Sequence, residues 1–259
     1  VTAMAKSPNK HNKFWLKVEP LEPEVIEAIE TGVITDRMAG KQIGEILYRK
    51  YGWPADEARR VWAIDEYKNV LLNVSKGVQY LQEVKEMIIS GFRWACSSGP
   101  LSGEPIRGVK VKLIHAELHS DPVHRGWAQC VPATRRAIFG SFLSANPTLL
   151  EPIYKIQVSV PSELIGEVTS LIARKRGRVL LTEQKGHLMV ITGYIPVAET
   201  FGLATEMRSA TGGKAFWQTT FDHWEPAPAF VMESLVPELR KRKGLPPEVP
   251  PPEKFIDEA

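Results

Sequence analysis

The densest set of side chains able to do chemistry lies in residues 115–129, HAELHSDPVHRGWAQ. His115, Glu117, His119 and Asp121 fall at alternating positions, so a continuing strand would put two imidazoles and two carboxylates on one face. That arrangement suits a metal ion or a general base. Pro122 interrupts any such strand, and the spacing matches no zinc signature. Asp121 beside His119 or His124 has the makings of part of a catalytic triad, but none of Ser120, Cys96 and Cys130 sits in a nucleophile motif. No GxxxxGK[ST] or GxGxxG run is present to cradle a phosphate. The residues therefore predict a chain that makes and breaks no bonds itself. A metal-dependent hydrolase on His115, Glu117 and His119 is the minor alternative, and elemental analysis would test it.

The elements that position this stretch follow from periodicity. Val109, Val111 and Leu113 alternate with Lys110 and Lys112, as in a half-buried strand. Ser120, Asp121 and Pro122 supply turn chemistry and Gly126 loosens the far side. A helix is expected from Val131-Pro132 to Leu143, with Pro132 in its first turn, where a missing N–H does no harm. Near the start, Ser7-Pro8-Asn9-Lys10-His11-Asn12 precedes a strand in which Phe14, Leu16 and Val18 alternate with Trp15 and Lys17. This SPNKHN loop is open to two readings, a solvated turn or an exposed basic loop for RNA. Helices are expected over 23–31, 37–51 and 54–62. The longest spans 75–95, through Val78, Leu81, Val84, Ile88 and Phe92, long enough to back a sheet. Asn146-Pro147 marks a boundary.

The second unit is plainer. Tyr154–Val160 alternates as a strand, Ser162 is placed to cap a helix through Leu164–Ile172, and Gly177 stops it. Strands over 179–182 and 188–195, a helix over 196–209 ended by Gly212-Gly213, and a strand over 215–221 complete βαββαβ, the ferredoxin-like arrangement. Arg174-Lys175-Arg176 ends the first helix; cations there complement the dipole, yet three exceed what capping needs, so a phosphate contact stays open. A short helix near 232–243 ends in Arg240–Lys243, read as a solvated helix end, and PPEVPPPEKF reads as an extended tail packed on a domain surface.

Composition limits the classes. The chain has 259 residues, 43% hydrophobic, enough for two ordinary domains. A net charge of +3 is too small to prove a polyanion partner. Two distant cysteines fit neither a CxxC nor a disulfide framework, which predicts a reducing, cytoplasmic compartment. No apolar run approaches a bilayer span. The polar opening VTAMAKSPNKHN has no secretory pattern and reads as the interior of a longer chain.

SPNKHN, HSDPVHRGWAQ, EPIY, RKRG and RSATGGKAFWQTTFDHW occur in this order from end to end. Together they resemble the C-terminal portion of archaeal and eukaryotic elongation factor two, the ribosomal translocase. The resemblance implies an α+β chain of two α/β-sandwich domains. Residues 1–150 would be domain four, like ribosomal protein S5 with a left-handed crossover. Residues 151–222 would be the ferredoxin-like domain five, and 223–259 a helix and tail packed back on the first.

It further implies a translational GTPase whose GTP and Mg belong to an N-terminal part, leaving no cofactor here. Its partners would be the ribosome, tRNA and mRNA, with no membrane. Ser7, Pro8, Asn9, Lys10, His11 and Asn12, with Asp121, Arg125, Gly126 and Trp127, would form tip loops in the small-subunit decoding region. His124, directly before Arg-Gly, would be the diphthamide site met by the diphthamide-synthesis enzymes. Arg174, Lys175 and Arg176 would face large-subunit rRNA. One departure stands out: the family's loop usually continues with further Gly or with Pro-Ala, whereas this chain has Trp127-Ala128-Gln129. The added ring either packs beneath the loop and stiffens it or makes a variant tip. A stand-alone RNA-binding module is the other reading.

Overall fold

The computed structural model describes residues 1–258. Its backbone contacts divide the chain into two units, Val1–Pro147 with the stretch from Glu233 onward, and Thr148–Met232.

The first unit runs β1 (Thr2–Lys6), β2 (Lys13–Pro20), α1 (Pro23–Glu30), α2 (Gly40–Tyr51), α3 (Ala55–Ala58), β3 (Val61–Ile64), β4 (Val70–Asn73), α4 (Leu81–Ser97), β5 (Val109–Glu117) and α5 (Trp127–Ser144). Its sheet has the order β1-β2-β5-β4-β3, antiparallel except for the β4–β5 pair, which α4 joins as a crossover. Phe14, Leu16, Val18, Leu71, Val111 and Leu113 pack with α4 and α5. Ile64, Val70 and Leu72 pack instead with α1 and α2. β4 is thus buried on both faces, so Val-Leu-Leu shows no alternation.

Several sequence expectations change. β1, β3 and β4 were not legible as strands. The helix expected over 54–62 is a single turn, because Val61 and Trp62 already belong to β3. α4 starts at Leu81 rather than at 75; Tyr80 before it is left-handed, with φ 62°. α5 starts at Trp127, which places Pro132 inside the helix. One interior hydrogen bond is forgone there. The Thr134 hydroxyl donates to the Cys130 carbonyl at 2.8 Å, an i−4 bond within the same helix. α5 also lies close against α4: a Cβ on Gly91 would fall 2.7 Å from Thr134 Cβ.

The register of β5 against β2 skips Ile114. This bulge reverses the inward phase from Leu113 to Ala116, so His115 and Glu117 turn to solvent. His115 packs at a tilt against Trp15, ring centroids 5.1 Å apart.

The end of the chain closes over this unit. α8 (Ala229–Arg242) brings in Arg240, 4% exposed, which donates to the carbonyls of Pro246 (2.6 Å), Pro100 (2.8 Å) and Leu101 (3.2 Å). Arg240 is therefore a buried clamp and not a solvated helix end; Lys243 likewise donates to the Gly103 carbonyl at 2.8 Å. Farther on, Phe255 meets Phe139 edge-on, and Asp257 accepts from the Lys6 N–H at 2.7 Å and from Arg136 at 3.0 Å.

The second unit runs β6 (Leu150–Pro161), α6 (Ile165–Arg174), β7 (Arg178–Lys185), β8 (Leu188–Pro196), α7 (Leu203–Thr211) and β9 (Phe216–Pro226). Its antiparallel sheet has the order β7-β8-β6-β9, the split βαβ topology. Ile156, Val158, Val160, Ile191 and Ile195 face Val168, Leu171, Ile172, Leu203 and Met207. β9 runs on past the expected Phe221 to Pro226. Ser162 makes no side-chain cap; Pro161 precedes a short 3-10 turn there.

Candidate functional site

The β1–β2 loop and the β5–α5 loop are laced together at one end of the first unit's sheet. Ser7 closes the first loop, donating its N–H to the Asn12 carbonyl at 2.8 Å and accepting the Lys10 N–H at 2.7 Å. Lys10 takes φ 63° to allow this. Asn9 and Asn12 then reach the second loop, each donating its side-chain amide to the His124 carbonyl at 2.8 Å. Asn12 also accepts the His119 N–H at 3.0 Å, and Gln129 accepts the Asn9 N–H at 2.8 Å. Asp121 accepts the Val123 N–H, an Asx turn that starts the one-turn 3-10 helix Pro122–Arg125.

Arg125 is the keystone. Its side chain is 4% exposed, donates to the carbonyls of His119 (2.8 Å) and Ser120 (2.7 Å), pairs with Glu83 and lies 4.3 Å over the Tyr80 ring. Cys130 beneath it donates its thiol to the Arg125 carbonyl. Burial pushes that thiol up to about 12, so it is no nucleophile at neutral pH. Cys96 is fully buried and raised as well, again by burial.

The ten expected loop residues and His124 thus split into two sets. Ser7, Asn12 and Arg125 are buried and Asn9 is half-buried, which makes them the lacing and removes Ser7, Asn12 and Arg125 from any direct contact surface. Pro8, Lys10, His11, Asp121 and Trp127 face solvent, and His124 and Gly126 are half-buried between the two. Trp127, 55% exposed, does not pack beneath the loop; it opens α5 as a surface ring. Val123, 81% exposed, was missed by sequence reasoning, for which an isolated valine in a turn carries no signal. Gly126 has an extended backbone, and a Cβ there would meet nothing within 4 Å. The chain itself does not require that glycine.

His11, His119 and His124 form a three-ring cluster, with centroids 5.0, 4.9 and 4.6 Å apart. The Asp121 N–H donates to His119 Nδ1 at 3.0 Å, so neutral His119 carries its proton on Nε2. Among the described residues no group of three His, Cys, Asp or Glu side chains is arranged to hold a metal ion. His115, Glu117, His119 and Asp121 do not share a face: the bulge turns the first two outward on the sheet, and the other two belong to the loop.

In the second unit the cationic run is mostly engaged internally. Arg176 forks onto Glu151 at 2.8 and 3.0 Å and reaches Glu199 at 2.9 Å; these hydrogen bonds hold its guanidinium firmly charged. Lys175 pairs with Glu206 at 2.5 Å. Only Arg174 of the three is exposed and without a carboxylate partner among the described residues.

An α+β unit ending in two laced, histidine-bearing loops, coupled in one chain to a ferredoxin-like unit, defines a class: the C-terminal domain pair of elongation-factor-G-type proteins. The model described as "Elongation factor G, domain IV" matches residues 31–146, and "Elongation factor G C-terminus" matches 148–235. The chain is 49% identical over 256 residues to Elongation factor 2 of Korarchaeum cryptofilum, covering 98% of this chain and 35% of that protein. It is 51% identical over 251 residues to Elongation factor 2 of Staphylothermus marinus, covering 97% and 34%. Elongation factor 2 of Saccharolobus solfataricus is 50% identical over the same length. The chain belongs to the elongation factor 2 family and spans about a third of the length of these relatives. No helix among the described residues is long and apolar enough to cross a membrane.

Proposed function

We propose that this chain is the ribosome-contacting part of a translational GTPase, in which the laced loops enter the small-subunit decoding region while tRNA and mRNA advance. The observation that carries this reading is the division of labour in the loops. Asn9, Asn12 and Arg125 fix the backbone from inside, which leaves Lys10, His11, His124 and Trp127 as a preorganised basic and aromatic edge for RNA backbone and unstacked bases. A bare backbone at Gly126 that the chain does not need suits a surface approached closely by a partner. On this reading the chain does mechanical and steric work, needs no cofactor of its own, and acts in the cytoplasm. GTP and Mg would be bound by the family's N-terminal region.

His124 is the proposed diphthamide site and so the substrate of the diphthamide-synthesis enzymes. Its carbonyl is gripped twice, so a cationic arm added to the ring would project from a fixed point. Peptide mass spectrometry across Asp121–Arg135 of natively expressed protein should show that increment on His124; an unmodified peptide refutes the assignment. In the full-length factor, replacing His124 should raise frameshifting and leave GTP hydrolysis intact. Unchanged frame maintenance refutes the tip role. Arg174 is the proposed large-subunit rRNA contact of the second unit, with Lys175 and Arg176 serving its fold.

A further inference from the structure

α2 and the turn of α3 enclose a groove of about 650 Å³ lined by Lys41, Gly44, Glu45, Tyr48, Arg49 and Arg59. This is the volume range of small-molecule sites, roughly 300–1,000 Å³. Its floor depends on close backbone approach, since a Cβ on Gly44 would lie 2.9 Å from the Ala58 carbonyl oxygen.

Three cations share the groove with one carboxylate. Glu45 reaches Arg49 at 3.2 Å along the helix, but the two side chains are 55% and 74% exposed, so the pair is loosely held. Lys41 and Arg59 are exposed and have no carboxylate partner among the described residues. Helix stability does not account for Lys41, which sits in the first turn of α2, where a positive charge opposes the dipole and no acidic residue offsets it. Tyr48 adds a ring 52% exposed, while its neighbours Ile43 and Leu47 are buried.

We propose that this groove is a second RNA-binding surface, separate from the tip loops. Lys41, Arg49 and Arg59 contact backbone phosphates, and Tyr48 stacks an unpaired base. RNA is favoured over an acidic protein segment because the groove joins its cations to an aromatic face and two planar guanidinium groups. Those are the surfaces on which unstacked bases lie. None of its lining residues belongs to the tip loops, so it stands or falls independently of the tip's role.

The test is fluorescence anisotropy of the 259-residue chain with a labelled single-stranded RNA about a dozen nucleotides long, titrated over a range of KCl concentrations. Lys41→Ala, Arg49→Ala and Arg59→Ala combined should make the slope of log affinity against log salt shallower by about 2, at roughly 0.7 for each phosphate no longer neutralised. Tyr48→Ala should weaken binding about tenfold and Tyr48→Phe should not, as the removal of one base stack requires. All four side chains are exposed, so the melting temperature should hold. Wild-type affinity and slope in the triple variant would overturn the proposal. So would an identical loss in Tyr48→Phe and Tyr48→Ala. If the triple variant bound RNA normally and lost binding to a poly-glutamate peptide, the groove would belong to an acidic protein and the RNA assignment would be overturned.

Discussion

Arg125 separates two physical readings of the same loop: a buried arginine that builds the tip, or a cation offered to RNA. Arg125→Ala removes two charged hydrogen bonds to the carbonyls of His119 and Ser120, at 2.8 and 2.7 Å. Each is worth about 1.5–3 kcal/mol. The stack on Tyr80 adds about 0.5–1 kcal/mol, given that the ring is partly exposed. Glu83, with a side chain 55% exposed, regains its hydration, so removing that pair adds little. Against these stands the buried Arg125 Nε, which has no partner and whose removal returns about 1–3 kcal/mol. The balance is a destabilisation of about 3 kcal/mol.

In a unit of this size that lowers the melting temperature by about 6–12 °C, at roughly 2–4 °C per kcal/mol. Arg125→Lys keeps the charge but lacks the planar guanidinium whose Nη1 serves both carbonyls while Nη2 holds Glu83, so it should fall between parent and alanine variant. The assays are thermal unfolding followed by circular dichroism and hydrogen exchange of the 119–126 amides, which should lose protection first. A variant that melts with the parent, keeps loop protection and shows an RNA salt slope shallower by about one unit would mark Arg125 as a phosphate-binding cation. That result would refute the keystone role.

Asn12→Ala should destabilise the first unit by about 2–3 kcal/mol in urea unfolding, because it strips two amide bonds and leaves the half-buried His119 N–H without its partner. Asn9→Ala should cost less, since Asn12 still holds the His124 carbonyl. Asp257→Asn should remove an acid-side dependence of stability. Burial raises the Asp257 carboxyl, but the Lys6 N–H and Arg136 outweigh it and the net shift is downward. Its contribution is therefore present above about pH 3.9 and lost as pH falls through the lowered value; an unchanged acid limb contradicts this. In the second unit Glu225 is held at about 2, first by Arg178 and then by His223. Burial lowers His223, but Glu225 and Asp222 outweigh it, so its pKa is raised above 6.5. Stability from Glu225 is lost as pH falls below about 4.3 towards 2, and stability from His223 is lost as pH rises through its folded value. His223→Gln should flatten the upper limb of a melting-temperature profile; a limb of unchanged slope would refute the coupling.

The second unit was legible because its central strands β6 and β8 bury one face. Ile156, Val158 and Val160 alternate with half-buried and exposed polar residues, and the period reads directly from the chain. In the first unit the same logic fails where burial is two-sided or side chains are small. β4 is apolar throughout because both faces are covered, and β1 buries Ala3, Met4 and Ala5 consecutively. α5 buries Cys130, Ala133, Thr134, Ala137, Gly140 and Ser141, small residues that let α4 and the tail approach closely but give almost no apolar period. Without that period Pro132 looked like a helix start, and the true start at Trp127 was invisible.

The tip shows why polarity alone misleads about exposure. Ser7, Asn12 and Arg125 look like a solvent-facing or RNA-facing set, yet each is turned inward to satisfy backbone groups of two loops that no strand pairing serves. Loops that cross a unit's end without ladder partners must find donors and acceptors among side chains, and Asn and Arg supply the most per residue. The residues best suited to hold the tip are therefore chemically the same as those best suited to touch RNA. Sequence gives their place; burial divides them, leaving Lys10, His11, Trp127 and the half-buried His124 as the side chains whose replacement should alter RNA binding without unfolding the loop.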